Sequence, residues 1–431
     1  MSRVSVGEPS SIRPTMKHRK RPWWRTCGLV LLSVVAVVGL VPAGWTLGSV
    51  VAGPSADHLE DQGRRLLAVT EPGSSAPRDM QAYFPEGEFF TYVLSGIGLA
   101  RLADASLYPD IDEAARDSFL DGARHALEAI DSPVVSSLFG KIDSLEHGIF
   151  YRGWRLQLVN AIVAAGGDLV AEQVSEARAI LAAVSGSSTG WVEGYTGGYW
   201  PCDTVAGLAG AADVLPAEAT PVIRRWMDQI VPGQMGLLVH QVGADGLPID
   251  SPRGSSQAII QTFWPSLLAV ATPKDGFGQW SAFTNLFVDR QLGVVAVREW
   301  PKGVDAAGDV DSGPLILGLS LSASAVGLAA ARANGDLGLA TALEREMDWL
   351  GVGATFKGQR TYLAGVLPVA EAFIFWAKTT PLGPVTTSPA AVHPLWWLWA
   401  PVFALPAVLA IWLWVRRSVR ARQVAAASQS A

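Results

Sequence analysis

Cysteine is almost absent from this 431-residue chain, which has two, Cys27 and Cys202. Cys27 borders an uncharged run and Cys202 lies mid-chain, so the two belong to different environments and no intrachain disulfide is expected. The stretch between the uncharged runs, roughly 340 residues, is long enough to be held by its own core. No Cys/His spacing suited to zinc occurs, nor does a Gly-rich phosphate loop or a Ser-x-x-Lys pair, and the Gly-x-Ser-x-Gly spacing at Gly186-Ser-Ser-Thr-Gly190 follows a helical stretch rather than the strand that a nucleophile elbow needs. Together these set aside kinase, serine-hydrolase and metalloprotease readings, and no metal or cofactor is expected. Strand patterns are scarce too. The best hairpin candidate is Gly236-Leu-Leu-Val-His-Gln-Val242 leading to Ile249-Asp250, with Asp245-Gly246 as its turn.

Charge is missing from two long stretches, residues 29–51 and Leu395–Val415. About 20 apolar residues suffice for a helix to cross a bilayer. Trp396, Trp397 and Trp399 at one end of the second stretch, with Trp412 and Trp414 at the other, are placed as interfacial anchors. Basic residues flank both runs, in Met16-Lys-His-Arg-Lys-Arg-Pro-Trp-Trp-Arg25 and in Arg416-Arg-Ser-Val-Arg-Ala-Arg422. The expected order is a cytoplasmic tail (1–26), a membrane helix (27–52), an extracytoplasmic domain (55–390), a second membrane helix (394–415) and a cytoplasmic tail (416–431). A cleaved signal peptide ending near Ala52-Gly-Pro-Ser-Ala56 is the alternative for the first run. Residues 1–26 carry seven Lys/Arg against one Glu and residues 416–431 carry four Arg, which leaves residues 27–415 with a net charge of −16. So acidic a domain argues against nucleic acid as a partner and leaves the bilayer and a small-molecule or glycan ligand.

Between residues 55 and 380 the chain alternates Ala- and Leu-rich stretches with Gly/Pro/Asp/Ser punctuation, a helical rhythm. It predicts a mainly α fold with helices over 56–70, 88–105, 111–130, 149–165, 168–184, 202–214, 219–230, 255–270, 279–291, 313–333, 336–350 and 362–378. Asp110 with Glu113 reads as a capping box, Asp168 as a helix start and Gly335 as a stop.

Three polar, aromatic-rich segments open helices: His147-Gly-Ile-Phe-Tyr-Arg-Gly-Trp154, Glu193-Gly-Tyr-Thr-Gly-Gly-Tyr-Trp-Pro-Cys-Asp-Thr204 and Gly308-Asp-Val-Asp-Ser-Gly-Pro314. Asp203, at a helix mouth and crowded by Tyr195, Tyr199 and Trp200, suits acid or base work, although capping of the helix is its plainer role. Glu193 stands in the same loop. Asp309 and Asp311 can face one side of an extended loop, which suits sugar hydroxyls, an acid/base couple or a divalent cation, although neither the third acid nor the downstream glutamate of a calcium loop follows. A capping Asp ahead of Pro314 explains only one of them. His147 could move protons, with Tyr151 and Arg152 beside it, although a structural hydrogen bond is its commoner use. Glu86, and Arg253 with Gln257, precede further helices and could add an acid, a cation and an amide. Cys202 at a helix start would be activated as a thiolate or packed as a small apolar group.

Six helical pairs, with long polar loops alternating with short ones, resemble the (α/α)6 toroid of many carbohydrate-active enzymes and of the linalool dehydratase/isomerase family. Trp200-Pro-Cys-Asp203 is similar to the acid/base-plus-cysteine arrangement of the latter. The resemblance implies that the domain between the two expected transmembrane helices is a toroid whose loops surround one funnel. The favoured expectation is an extracytoplasmic enzyme working on a glycan-like envelope component. Asp203 and one of Asp309/Asp311 would be its acid/base pair, with Trp154, Tyr195, Tyr199 and Trp200 as stacking rings. Alternatives are a lyase or isomerase of a hydrophobic alcohol, relying on His147 and Cys202, and a binding or scaffolding module of the envelope. Only one cysteine lies in the outer domain, so a two-cysteine mechanism does not carry over.

Overall fold

The computed structural model describes residues 56–230, 235–272, 279–291, 293–310, 312–351 and 353–390, with Leu409, Trp412 and Arg416. The chain divides into residues 45–398 and a second unit of 1–44 with 399–431. In the second, the Arg416 guanidinium lies 4.9 Å from the centre of the Trp412 ring. The uncharged run 29–51, Cys27, the basic tail 1–26 and most of 395–431 lie outside the described residues, as does Asp311. Among the described residues no helix is long and apolar enough to cross a membrane.

The larger unit is mainly helical. Its helices are α1 (Ala56–Thr70), α2 (Ala76–Met80), α3 (Gly87–Ala103), α4 (Glu113–Asp131), α5 (Pro133–Ser136), α6 (Gly148–Ala164), α7 (Val170–Gly186), α8 (Pro201–Val214), α9 (Pro216–Gln229), α10 (Gly254–Val270), α11 (Gln279–Phe287), α12 (Leu321–Ala333), α13 (Leu337–Leu350) and α14 (Pro368–Thr379). An antiparallel sheet of β1 (Val288–Gln291), β2 (Val294–Arg298) and β3 (Leu319–Ser320) and a hairpin of β4 (Ala354–Phe356) and β5 (Gln359–Thr361) complete it.

Two kinds of helix alternate along the chain, and composition separates them. α3, α6, α8, α10, α12 and α14 are apolar or small on all sides and are buried along most of their length, as helices surrounded by others must be. Each packs on the next and α14 packs back on α3, so the six close on themselves. Small residues permit the approach: a Cβ at Gly153 of α6 would come within 3.1 Å of the Gly207 backbone of α8. Neighbours run parallel. Gln157 Nε2 donates to Ala206 O and Asn160 Nδ2 to Gly210 O, both at 3.0 Å, and Arg101 Nη1 at the end of α3 donates to Trp376 O near the end of α14 at 3.2 Å.

Between these lie amphipathic helices that return the chain. α4, for example, buries Phe119, Ala123, Ala126, Leu127 and Ile130 and little else. The helix following each of the first five inner helices is reached by a shorter connection (104–112, 165–169, 215, 271–278, 334–336). Each inner helix is entered through a longer one (71–86, 132–147, 187–200, 230–253, 288–320, 351–367). The long connections, which carry the polar motifs, therefore gather at one end of the six-helix ring.

Several local expectations are corrected. The stretch 279–291 is not one helix: after Phe287 the segment Val288-Asp-Arg-Gln291 is a strand that pairs antiparallel with Val294–Arg298. The stretch 313–333 is helical only from Leu321, because Ser320 caps it by accepting from Ala323 N at 3.1 Å, so Pro314 does not open the helix. The cap of α4 is Asp112, accepting from Ala115 N at 2.9 Å, rather than Asp110. Asp112→Ala is expected to lower stability by about 1 kcal/mol, to be read by chemical denaturation. The 236–250 hairpin is reduced to a Val242–Pro248 bridge around the Gly243–Leu247 turn.

Candidate functional site

The central loop is built around a tight turn. Gly194 N donates to Gly198 O at 3.0 Å and Gly198 N to Tyr195 O at 2.8 Å, with Gly197 at φ +74° between them, a region that favours glycine. Glu193 closes the turn by accepting from Gly197 N at 2.9 Å, and the Tyr199 hydroxyl binds the same carboxylate. The Trp200 ring lies on Gly198, where an added Cβ would meet Cζ3 at 2.3 Å.

Asp203 sits in the first turn of α8, 5% exposed, and is not the helix cap; that position belongs to Trp200, which makes no side-chain cap bond. Its carboxyl lies over Gly194, within 2.5 Å of where a Cβ would be, and accepts from the buried Cys202 thiol at 3.5 Å. Tyr195 reaches the other way and donates to Glu86 at 2.7 Å. Burial raises the Glu86 carboxyl, and the bond from Tyr195 only partly offsets this.

The loop before α6 meets this one where Ile149 N donates to Glu193 O at 2.8 Å. His147 adopts a left-handed conformation, φ 66°, with Nδ1 3.0 Å from Gly140 O and its ring edge-on to Tyr151 at 5.2 Å. Tyr151 donates to Asp131 at 2.8 Å, and burial and then Asp131 push its hydroxyl pKa up. Arg152, expected to grip a ligand, faces Glu176 at 2.6 Å. Arg155 holds Asp131 through two nitrogens, both at 2.7 Å, and also Glu172 and Glu176. Trp154, expected as a stacking surface, is 1% exposed, with Phe90, Phe263 and Trp376 packed around its ring at 5.4–5.5 Å.

A third group lies where α10 begins. Arg253 bridges Asp250, at 2.7 Å, and Asp309, and its guanidinium stacks 4.7 Å from Trp300. Partial burial raises the Asp309 carboxyl, but hydrogen bonds from Ser312 and the charge of Arg253 outweigh it and hold the pKa below the ordinary value. Gln257 is wholly buried and donates to Leu238 O at 2.6 Å. Behind them stands Glu299, wholly buried, accepting from Ser255 N at 3.2 Å and Ser255 Oγ at 3.0 Å. Burial, then the Asp309 charge, pushes it up to about 7. Burial likewise lowers His240, with Arg253 adding to the effect.

Two adjoining cavities open beside the first two loops. The larger, about 860 Å³, is lined by Asp143, Glu146, Arg152, Trp191, Glu193 and Tyr199 with the Ala179–Gly186 face of α7. The smaller, about 370 Å³, is lined by Asp131, Glu146, His147, Tyr151, Arg152 and Glu176, among others. The fold thus brings Glu193, Tyr199, Arg152, His147 and Tyr151 to one cleft. Asp203, Cys202, Glu86, Tyr195 and Trp200 are packed next to it, and Arg253, Gln257 and Asp309 are at the next helix. Neither Asp203 nor Asp309 lines either cavity. Among the described residues no group of three or more His, Cys, Asp or Glu is arranged to hold a metal ion.

Glu146, Asp143 and Glu299 are carboxylates that sequence reasoning missed. Glu146 stands immediately before the His147 motif, a signal that was there to be used; Glu299 has none, since β2 and α10 meet only through the fold. The sequence matches no known protein family, and no curated protein is similar to it.

Proposed function

We propose that this chain is an (α/α)6 toroid, held to a membrane by the two uncharged runs, whose extracytoplasmic domain acts by carboxylate acid/base chemistry on a glycan-like envelope component. The toroid is supported by the six inner helices that close on themselves and by the amphipathic helix that follows each of the first five. The observation that carries the function is the cavity of about 860 Å³ in which Glu193, Glu146 and the Tyr199 ring face one space. Two carboxylates with an aromatic surface are the equipment of glycoside chemistry. Glu193 is the better placed as a base, because the Gly197 N–H and the Tyr199 hydroxyl orient it. Glu146 would serve as the second carboxylate. Asp203 and Glu86 shape the wall behind.

A second reading, a binding module without turnover, is favoured by one feature: Arg152, Arg253 and Asp309 are all engaged in ion pairs within the protein. Both readings are tested by presenting a panel of soluble glycans to the full chain in detergent micelles and measuring release of reducing ends. Turnover is expected, and Glu193→Gln should lower kcat by roughly 100-fold or more with KM little changed. Binding without release supports the module. Absence of both from every glycan overturns the proposal.

A further inference from the structure

The walls of the cleft carry charge that a preference for hydroxyl groups does not account for. Asp131, Glu146, Glu172 and Glu176 line the smaller cavity and Asp143, Glu146 and Glu193 the larger, against Arg152 and Arg155 as the cations. Both arginines are engaged: Arg155 by Asp131, Glu172 and Glu176, and Arg152 by Glu176. Glu193 is held by its own loop. Asp143 and Glu146 are different. Both are exposed, both line the larger cavity, and their side chains make no hydrogen bond or ion pair among the described residues. The small side chains of Ala179, Ala182 and Ala183 line the same cavity.

We infer that the cleft takes a hydroxyl-rich ligand bearing protonated amines, which Asp143 and Glu146 recognise by charge. The inference rests on this cleft being the ligand site proposed above. An anionic chain would bring like charge against a wall with no unengaged cation among the described residues. A neutral one would leave Asp143 without a counterpart, and Glu146 without one outside the acid/base step assigned to it. An amine answers both, and charge complementarity of this kind sets which partner is admitted more than it sets absolute affinity. The adjoining cavity, which shares Glu146 and Arg152 with the larger one, extends the same acidic wall for a further unit of such a chain.

The test uses the full chain in neutral-detergent micelles and isothermal titration with three oligosaccharides of equal length: a glucosamine oligomer, its N-acetylated neutral form and an oligogalacturonate. The glucosamine oligomer should bind at least about tenfold tighter than the neutral one, with the gap narrowing as salt is raised. The double variant Asp143→Asn/Glu146→Gln should bring the two within about threefold, while its far-ultraviolet circular dichroism and Tm stay those of the parent. Equal or tighter binding of the neutral oligomer overturns the inference and leaves the glycan reading standing. Binding of none of the three overturns both.

Discussion

Asp348→Asn is expected to be among the most destabilising single substitutions in the molecule, lowering the unfolding free energy by about 3–5 kcal/mol. Asp348 is 5% exposed and is the anion at the centre of a buried network. It accepts from the Lys378 ammonium at 2.7 Å and the Tyr362 hydroxyl at 2.5 Å, and pairs with Arg360 at 3.2 Å. Lys378 and Arg360 are 3% and 1% exposed. Burial alone would raise the Asp348 carboxyl, but Lys378 and Arg360 hold it down at about 2. The asparagine keeps the shape and removes the charge, leaving two buried cations with, among the described residues, Glu344 at 3.7 Å from Lys378 to answer them. Denaturant titration of the full chain in micelles measures the loss. The double variant Asp348→Asn/Lys378→Met should recover part of it, because the two sites are coupled. A single-variant loss under about 1 kcal/mol would contradict this account of how β5, α13 and α14 are held together.

Stability is expected to fall by a few kcal/mol as pH rises from about 5 to above 8. Two glutamates pin β2: Glu346 on α13 accepts from Val295 N at 2.8 Å, and Glu299 binds Ser255 at the start of α10. Burial raises Glu346 to about 8, against the bond from Val295 and the charges of Arg290 and Arg345. Glu299 is raised to about 7. The folded chain therefore holds two protons that the unfolded chain, with carboxyls near the ordinary 4.5, releases earlier. The sign follows: this contribution is full below about pH 4.5 and is lost as pH rises through about 7 and 8. Asp348 acts oppositely, its contribution being lost as pH falls from the ordinary carboxyl range through about 2. Glu299→Gln with Glu346→Gln should flatten the neutral limb. A slope unchanged by the pair of substitutions would count against it.

How much of this could be read from the residues varies by feature. The inner helices were legible because small and apolar side chains all round, as in Val205-Ala-Gly-Leu-Ala-Gly-Ala-Ala212, suit a helix surrounded by others. Ends governed by a single hydroxyl or carboxylate were less so. Ser320 rather than Pro314 starts α12, and Asp112 rather than Asp110 caps α4. The step from α11 to β1 was lost because Val288-Asp-Arg-Gln291 is a strand only by virtue of the partner it finds in β2.

In the site, the folded chain brings His147, Tyr151, Arg152, Glu193 and Tyr199 of two of the motif loops to one cleft. Which way each faces was not legible. Trp154 points into the core and Arg152 to Glu176, consequences of helix packing that a linear motif does not encode. Asp203, the first choice from sequence, is packed against Gly194, while Glu146, on the edge of its motif, is exposed and lines both cavities.

The central claim is that the cleft between residues 143–146 and 187–199 receives the ligand. Hydrogen–deuterium exchange of the full chain in micelles, with and without a saturating glucosamine oligomer, tests it most directly. Slowed exchange confined to peptides covering 143–152 and 187–199, and to the 179–186 end of α7, is the predicted result. Protection confined instead to 250–257 and 299–312 around Arg253 and Asp309, or no protection with the oligomer bound, would contradict it.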